Sequence, residues 1–149
     1  MTNSDFELAA LVLGCATLAD HTPMHYPAVW CGSEDTLVVS WCRRGSTSTT
    51  KVNAHLLRWL AQLSQQHTFT LKPVNVTGKT NHIADFCSRS FHLSDQDFRL
   101  QLQSTFPIKP SWHIVQPSKE NVSGMISALS CKMSPWELQP TKPSQAQTT

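Results

Sequence analysis

The sequence predicts an α/β fold organised around a pair of parallel strands, with a helical extension behind it. Three observations carry this reading. Two runs, Ala28 to Gly32 and Thr68 to Val76, are apolar or rich in β-branched residues and read as strands. Helical patterns stand before, between and after them, giving the order helix, strand, helix, strand, helix. The connection between the strands is of crossover length, which a parallel pair needs and a hairpin does not.

Ser4 to about Ala19 is the first helix. Phe6, Ala9, Ala10, Leu13 and Thr17 trace one side, while Leu8, Leu11, Val12, Cys15 and Leu18 carry apolar surface almost all round. Such a helix is buried on more than one side. Ser4 with Glu7 three residues on fits a capping box. Asp20 to Pro27, with two prolines and two histidines, is a loop. His21 and His25 have helical metal-ligand spacing, but Pro23 between them rules out a regular helix, so no zinc site is expected. Ala28 to Gly32 is a buried strand running into the polar set Ser33-Glu34-Asp35-Thr36.

Leu37 to Arg44 starts a helix that Gly45 to Thr50 breaks. Val52, Leu56, Trp59, Leu60 and Leu63 then recur at helical spacing. Thr68 to Val76 is a strand despite Pro73. A Gly78-Lys79 turn leads into a short amphipathic helix opening at Asn81. Ser94 to about Thr105 is a polar helix with a Ser cap and Asp95 and Asp97 in its first turn. Pro107, Pro110 and Pro117 mark a loop, and Val122 to Cys131 a short helix. From Pro135 the proline, glutamine and threonine content predicts a disordered tail. The expected division is residues 1–92, a partial α/β domain; 93–134, a helical and loop extension; and 135–149, the tail.

The 149 residues suffice for one domain with a buried core, and the net charge of +2 does not by itself announce a nucleic-acid binder. No apolar run approaches bilayer-spanning length, and Met1 to Asp5 lacks the basic region of a signal peptide. Five cysteines, an odd number at irregular spacing, argue against a disulfide framework. An intracellular, reducing setting is expected, in cytoplasm or nucleus, neither secreted nor membrane-bound. Cys31, Cys42 and Cys87 are expected as packing thiols, and Trp30, Trp41 and Trp59 as core. The tripeptides at Asn75 and Asn121 fit the glycosylation pattern, but without a secretory signal they read as chance matches.

Acidic residues fall at Glu7 in the first helix, at Glu34-Asp35 where the first strand ends, and at Asp85 just after the second strand. Functional groups of open α/β sheets gather at the carboxyl ends of strands. A cluster of hard oxygen ligands suits Mg²⁺ or Mn²⁺, and two such ions can drive phosphodiester cleavage. Each acid also has an ordinary explanation: Glu7 as a capping residue, Glu34-Asp35 as a turn pair, Asp85 as a complement to the helix dipole. Arg43, Arg44 and Lys51 flank a Ser/Thr run, a composition suited to phosphate oxygens and equally to a solvated loop.

Taken together, "NSDFELAAL", "GSEDTLVVSWCRRGSTSTT" and "NVTGKTNHIADFCSRSFHLSD" resemble the ribonuclease H region of retrotransposon (reverse transcriptase) polyproteins. Gly78-Lys79, Asn81, Ala84-Asp85 and Ser88-Arg89 match the last motif of that family, and the resemblance covers roughly residues 2 to 95. It implies an incomplete ribonuclease H-like fold that starts after the family's three-stranded meander, whose first strand carries another metal-binding Asp. It also implies metal-dependent hydrolysis of RNA in RNA/DNA hybrids, with Glu7, Glu34 or Asp35, and Asp85 as catalytic metal ligands for Mg²⁺ or Mn²⁺. Arg43, Arg44 and Lys51 would contact nucleic acid, and a reverse transcriptase segment would precede the domain in the parent polyprotein. Where the family has Asp in the middle motif this chain has Glu34, with Asp35 next to it. A carboxylate displaced by about 1 Å costs on the order of a hundredfold in rate, so the expectation is an impaired or inactive remnant. The competing expectation is a non-catalytic nucleic-acid-binding or interaction fragment.

Overall fold

A computed structural model of the protein describes residues 1–22, 28–46 and 51–130. Along the chain lie α1 (Asn3–His21), β1 (Ala28–Ser33), α2 (Thr36–Arg44), α3 (Lys51–His67), β2 (Thr70–Asn75), α4 (His82–Arg89), α5 (Asp95–Thr105) and α6 (Lys119–Leu129). Among the described residues this is a mixed α/β chain with six helices and a two-stranded parallel sheet. The loop expected at Asp20 to Pro27 lies outside the described residues from Pro23 on. So do Thr47 to Thr50, Cys131 at the end of the last expected helix, and the tail expected from Pro135.

The strands pair as expected, with Ala28 opposite Thr70, Trp30 opposite Lys72, and Ser33 opposite Asn75. Alternation decides what each face buries. Val29 and Leu71 pack against the core, whereas Trp30 projects the other way and is 71% exposed. Trp30 is therefore not the core residue its type predicts. An aromatic in a short apolar run gives no sign of which face it takes. Trp41 and Trp59 are buried as expected.

The core forms between α1, α2, α3 and α6. Leu8, Val12 and Ala16 of α1 meet a cluster that includes Val38, Leu56, Leu60 and Met125. Burial at Leu56, Leu60 and Leu63 follows the helical spacing seen in the sequence. Fully burying one such leucine contributes about 1.5–3 kcal/mol. α1 is less enveloped than its composition predicts: Phe6 and Leu18 remain 51% and 41% exposed.

Helix ends follow local chemistry. The N-cap of α1 is Thr2, ahead of the expected Ser4. Thr2 and Asp5 form the capping box, so Ser4 and Glu7 are released for other partners. Asp5 is 1% exposed, with its Oδ1 finding no hydrogen-bond partner among the described residues. α2 stops at Gly45, whose φ of 68° is the left-handed geometry glycine adopts freely. α3 stops at Thr68, φ 57°, and the Phe69 amide returns to the Ser64 carbonyl at 3.1 Å in a Schellman-type closure. Ser118 caps α6, which therefore starts at Lys119, ahead of the expected Val122.

Behind β2 the chain builds a small aromatic cluster. Phe86 of α4 stacks on Phe98 of α5 at 5.9 Å and meets Phe106 edge-on at 5.8 Å. Trp112 Nε1 donates to the Phe106 carbonyl at 2.7 Å. These contacts join residues on both sides of position 92. The segment then returns to α1, where Asn121 Nδ2 donates to Asp20 Oδ2 at 2.8 Å and His21 Nε2 lies 3.1 Å from the Gln116 carbonyl oxygen. No helix among the described residues is long and apolar enough to cross a membrane.

Candidate functional site

β1 delivers its last residues to the place where α1 begins and α4 passes. The chain after β2 turns back over this end: the Val76 amide donates to the Ser33 carbonyl at 2.9 Å. Asn75 Nδ2 donates to the carbonyls of Ser33 and Glu34, at 3.2 and 3.3 Å. The two strand ends are thus locked together just where the acidic pair follows.

A cavity of about 500 Å³ lies here, and Glu7 of α1, Glu34 after β1 and Asp85 of α4 all line it. Three acids remote in sequence are brought to one cavity at the carboxyl end of the sheet. Glu34 Oε1 accepts from Asn81 Nδ2 at 3.2 Å, and Gly78 lies directly beneath the same carboxylate. A Cβ at position 78 would come within 3.1 Å of Glu34 Oε2, so glycine keeps that approach open. Glu7 Oε2 accepts from Ser33 Oγ at 3.4 Å. Asp85 Oδ1 accepts from Arg89 Nε at 3.0 Å, an exposed pair one helical turn apart.

Asp35 has a different part. Its carboxylate caps α2, accepting from the amides of Leu37 and Val38, and also takes a hydrogen bond from Ser4 Oγ at 2.6 Å. It pins α1 to the start of α2 and does not line the cavity. Of the acidic pair, Glu34 faces the cavity and Asp35 serves the helix.

The basic candidates stand elsewhere. Arg43 and Arg44 occupy the last turn of α2, at the opposite end from its N-cap Asp35 and from Glu34. Nine residues of helix, Thr36 to Arg44, put roughly 12 Å between the two ends. Arg43 donates to the Pro73 carbonyl at 3.3 Å, and Arg44 is exposed. The Lys51 side chain lies outside the described residues.

The donor chemistry of Glu7, Glu34 and Asp85 suits a hard divalent cation. The arrangement does not fit one as it stands. Among the described residues, no three His, Cys, Asp or Glu side chains form a group that could hold a metal ion. Glu34 is drawn to Asn81 and Asp85 to Arg89 instead.

Sequence reasoning missed Ser33 and Asn75. Ser33 is buried, and its Oγ both accepts from the Asp35 amide at 3.1 Å and donates to Glu7. A small polar residue closing an apolar strand is the only signal it carried. Asn75 carried none beyond its place at the end of the second strand. Cys15, Cys31 and Cys42 form a second group, under the sheet. Burial pushes the Cys15 thiol up to about 11 and the Cys42 thiol up to about 12, each raised further by neighbouring thiols. Cys31 and Cys42 are half-buried, as expected of packing thiols, with Cys15 buried beside them, while Cys87, also expected to pack, is exposed.

Compared with known proteins, the chain matches no family model, no curated protein and no solved structure.

Proposed function

We propose that this chain carries the later part of a retrotransposon ribonuclease H-like domain, a remnant whose inherited activity is metal-dependent hydrolysis of RNA in RNA/DNA hybrids. Mg²⁺ or Mn²⁺ is the ion such an activity uses, and the partner segment in the parent polyprotein is a reverse transcriptase. The observation that carries the proposal is the convergence of Glu7, Glu34 and Asp85 on one cavity at the carboxyl end of a parallel pair. Helix capping and dipole complementation explain each acid singly. Neither explains why three acids from three elements share one cavity.

The reading is of an impaired site. Asp85 is paired with Arg89, and Glu34 stands where the family has the shorter Asp. A non-catalytic role is the second reading, favoured by that ion pair and by the separation of Arg43 and Arg44 from the acids. In that case the chain binds nucleic acid weakly, and the binding weakens steeply with salt.

The test is cleavage of a labelled RNA/DNA hybrid in Mg²⁺ and in Mn²⁺. The chain by itself is expected to show no turnover above background. A fusion placing the three-stranded meander of a retrotransposon ribonuclease H ahead of Met1 is expected to cleave, and to lose cleavage on Asp85→Asn. A folded fusion that binds hybrid yet stays inert even with Glu34→Asp overturns the ribonuclease H reading.

A further inference from the structure

Glu7, Glu34 and Asp85 line the carboxylate cavity, and no lysine, arginine or histidine does. A phosphodiester brought over that opening is repelled by all three unless cations stand beside it. The basic residues that the sequence offered for this task, Arg43 and Arg44, close the far end of α2. The structure offers two others. One wall of the cavity is α4 with its N-cap, through Asn81, Ala84, Asp85 and Ser88. Lys79 stands two residues before that lining and Arg89 directly after it. From Asn81 to Arg89 the helix covers roughly 12 Å, the length of a few nucleotides of one strand.

Each cation is placed by local structure. Lys79 rides on a turn closed by the Thr80 amide, which donates to the Thr77 carbonyl at 2.9 Å, and the same turn sets Gly78 beneath the Glu34 carboxylate. The Lys79 side chain is exposed and meets no partner among the described residues. Thr77 and Thr80 flank it, both exposed, and a lysine among hydroxyls suits phosphate oxygens. Arg89 is held at Asp85 by an exposed ion pair one helical turn apart, Nε to Oδ1 at 3.0 Å. Exposed pairs of this spacing are weakly held. A guanidinium readily exchanges one for a bidentate contact with phosphate, and Asp85 is then released.

We infer that Lys79 and Arg89 are the phosphate contacts of this chain, gripping one strand of an RNA/DNA hybrid on either side of the carboxylate cavity, with Arg89 leaving Asp85 to do so. The class of ligand rests on the ribonuclease H reading; the contacts themselves need neither cleavage nor metal.

The test uses the full chain and a fluorescein-labelled RNA/DNA hybrid, titrated by fluorescence anisotropy in EDTA over a series of KCl concentrations. Saturable binding that weakens with salt is expected. Each phosphate contact contributes about 0.9 to the slope of log K against log salt. Lys79→Gln and Arg89→Gln should therefore each make the slope shallower by about one, and the double variant by about two. Arg43→Gln with Arg44→Gln should leave it unchanged. All four side chains are exposed, so the variants keep the fold, as circular dichroism will show. A slope unchanged in the Lys79 and Arg89 double variant overturns the inference. So does a slope that the Arg43 and Arg44 changes make shallower instead, or the absence of saturable binding. An inert fusion counts against the ribonuclease H reading and an unchanged slope against these contacts, so the two failures are told apart.

Discussion

Two adjacent carboxylates, Glu34 and Asp35, take opposite jobs because of what lies one residue away. Asp35 is at the N-cap of α2, where two amides and Ser4 Oγ claim its oxygens. Glu34 is left to reach over Gly78 into the cavity. Replacing Gly78 by Ala puts a methyl against Glu34 Oε2, and the carboxylate must swing away from Asn81. We expect Gly78→Ala to leave the fold intact and to lower RNA/DNA hybrid cleavage by the meander fusion several-fold, because the Glu34 carboxylate is displaced. Thr68 is a residue at odds with its backbone, a β-branched side chain at φ 57°. Thr68→Gly removes that strain of roughly 1–2 kcal/mol and gives back part of it through the freer unfolded chain. A net gain of about 1 kcal/mol is expected, read as a higher urea midpoint at unchanged slope. The buried thiols set an alkaline limit. In the unfolded chain they ionise near 9.0, whereas in the folded protein Cys15 and Cys42 hold their protons to about 11 and about 12. Their contribution to stability is complete below the unfolded value and is lost as pH rises through the folded values. Urea midpoints measured from neutral pH upward should fall above about pH 9, and the fall should be shallower in Cys42→Ala.

At the scale of elements, α4 is the least supported helix. It buries none of its residues, and its hold on the rest passes through the Phe86 ring. Phe86→Ala removes the stack on Phe98 and the edge contact with Phe106. A fully buried Phe→Ala costs about 3–5 kcal/mol, and this half-buried ring about half that. Hydrogen exchange is expected to quicken across α4 and α5 while α1 and α3 keep their protection. The elements themselves were largely legible in the sequence. The spacing of Val52 to Leu63 marks α3, and the β-branched run at Thr68 to Val76 marks β2, because burial on one face leaves a period in the chain. Ends and faces were less legible. The capping box fell on Thr2 and Asp5 because Ser4 is taken by Asp35, a partner 31 residues away that local sequence does not reveal. Trp30 was misplaced for a related reason. A short apolar strand does not say which face meets the helices, and pairing with β2 decides it. For the site, the acids could be named from the sequence, but the choice of Glu34 over Asp35 needed the helix that follows.

For the whole molecule, a two-stranded sheet leaves open strand edges, and two strands alone are too few to make a stable sheet interior. The outward face of β1 carries Trp30 at 71% exposure, and Phe6 beside the cavity is 51% exposed. A free edge with apolar residues around it pairs with whatever strand it meets. The core between α1 and α3 holds the chain together at low concentration, but the sheet adds little cooperativity. We therefore expect broad thermal unfolding and light scattering that rises with protein concentration. Trp30→Lys places a charge on the outward face of β1 without touching the core. It should raise the concentration at which scattering begins by a few-fold, with an unchanged far-ultraviolet circular dichroism spectrum. A wild-type chain that stays monomeric at high concentration and melts in one sharp step would mean that the edge of β1 is already covered.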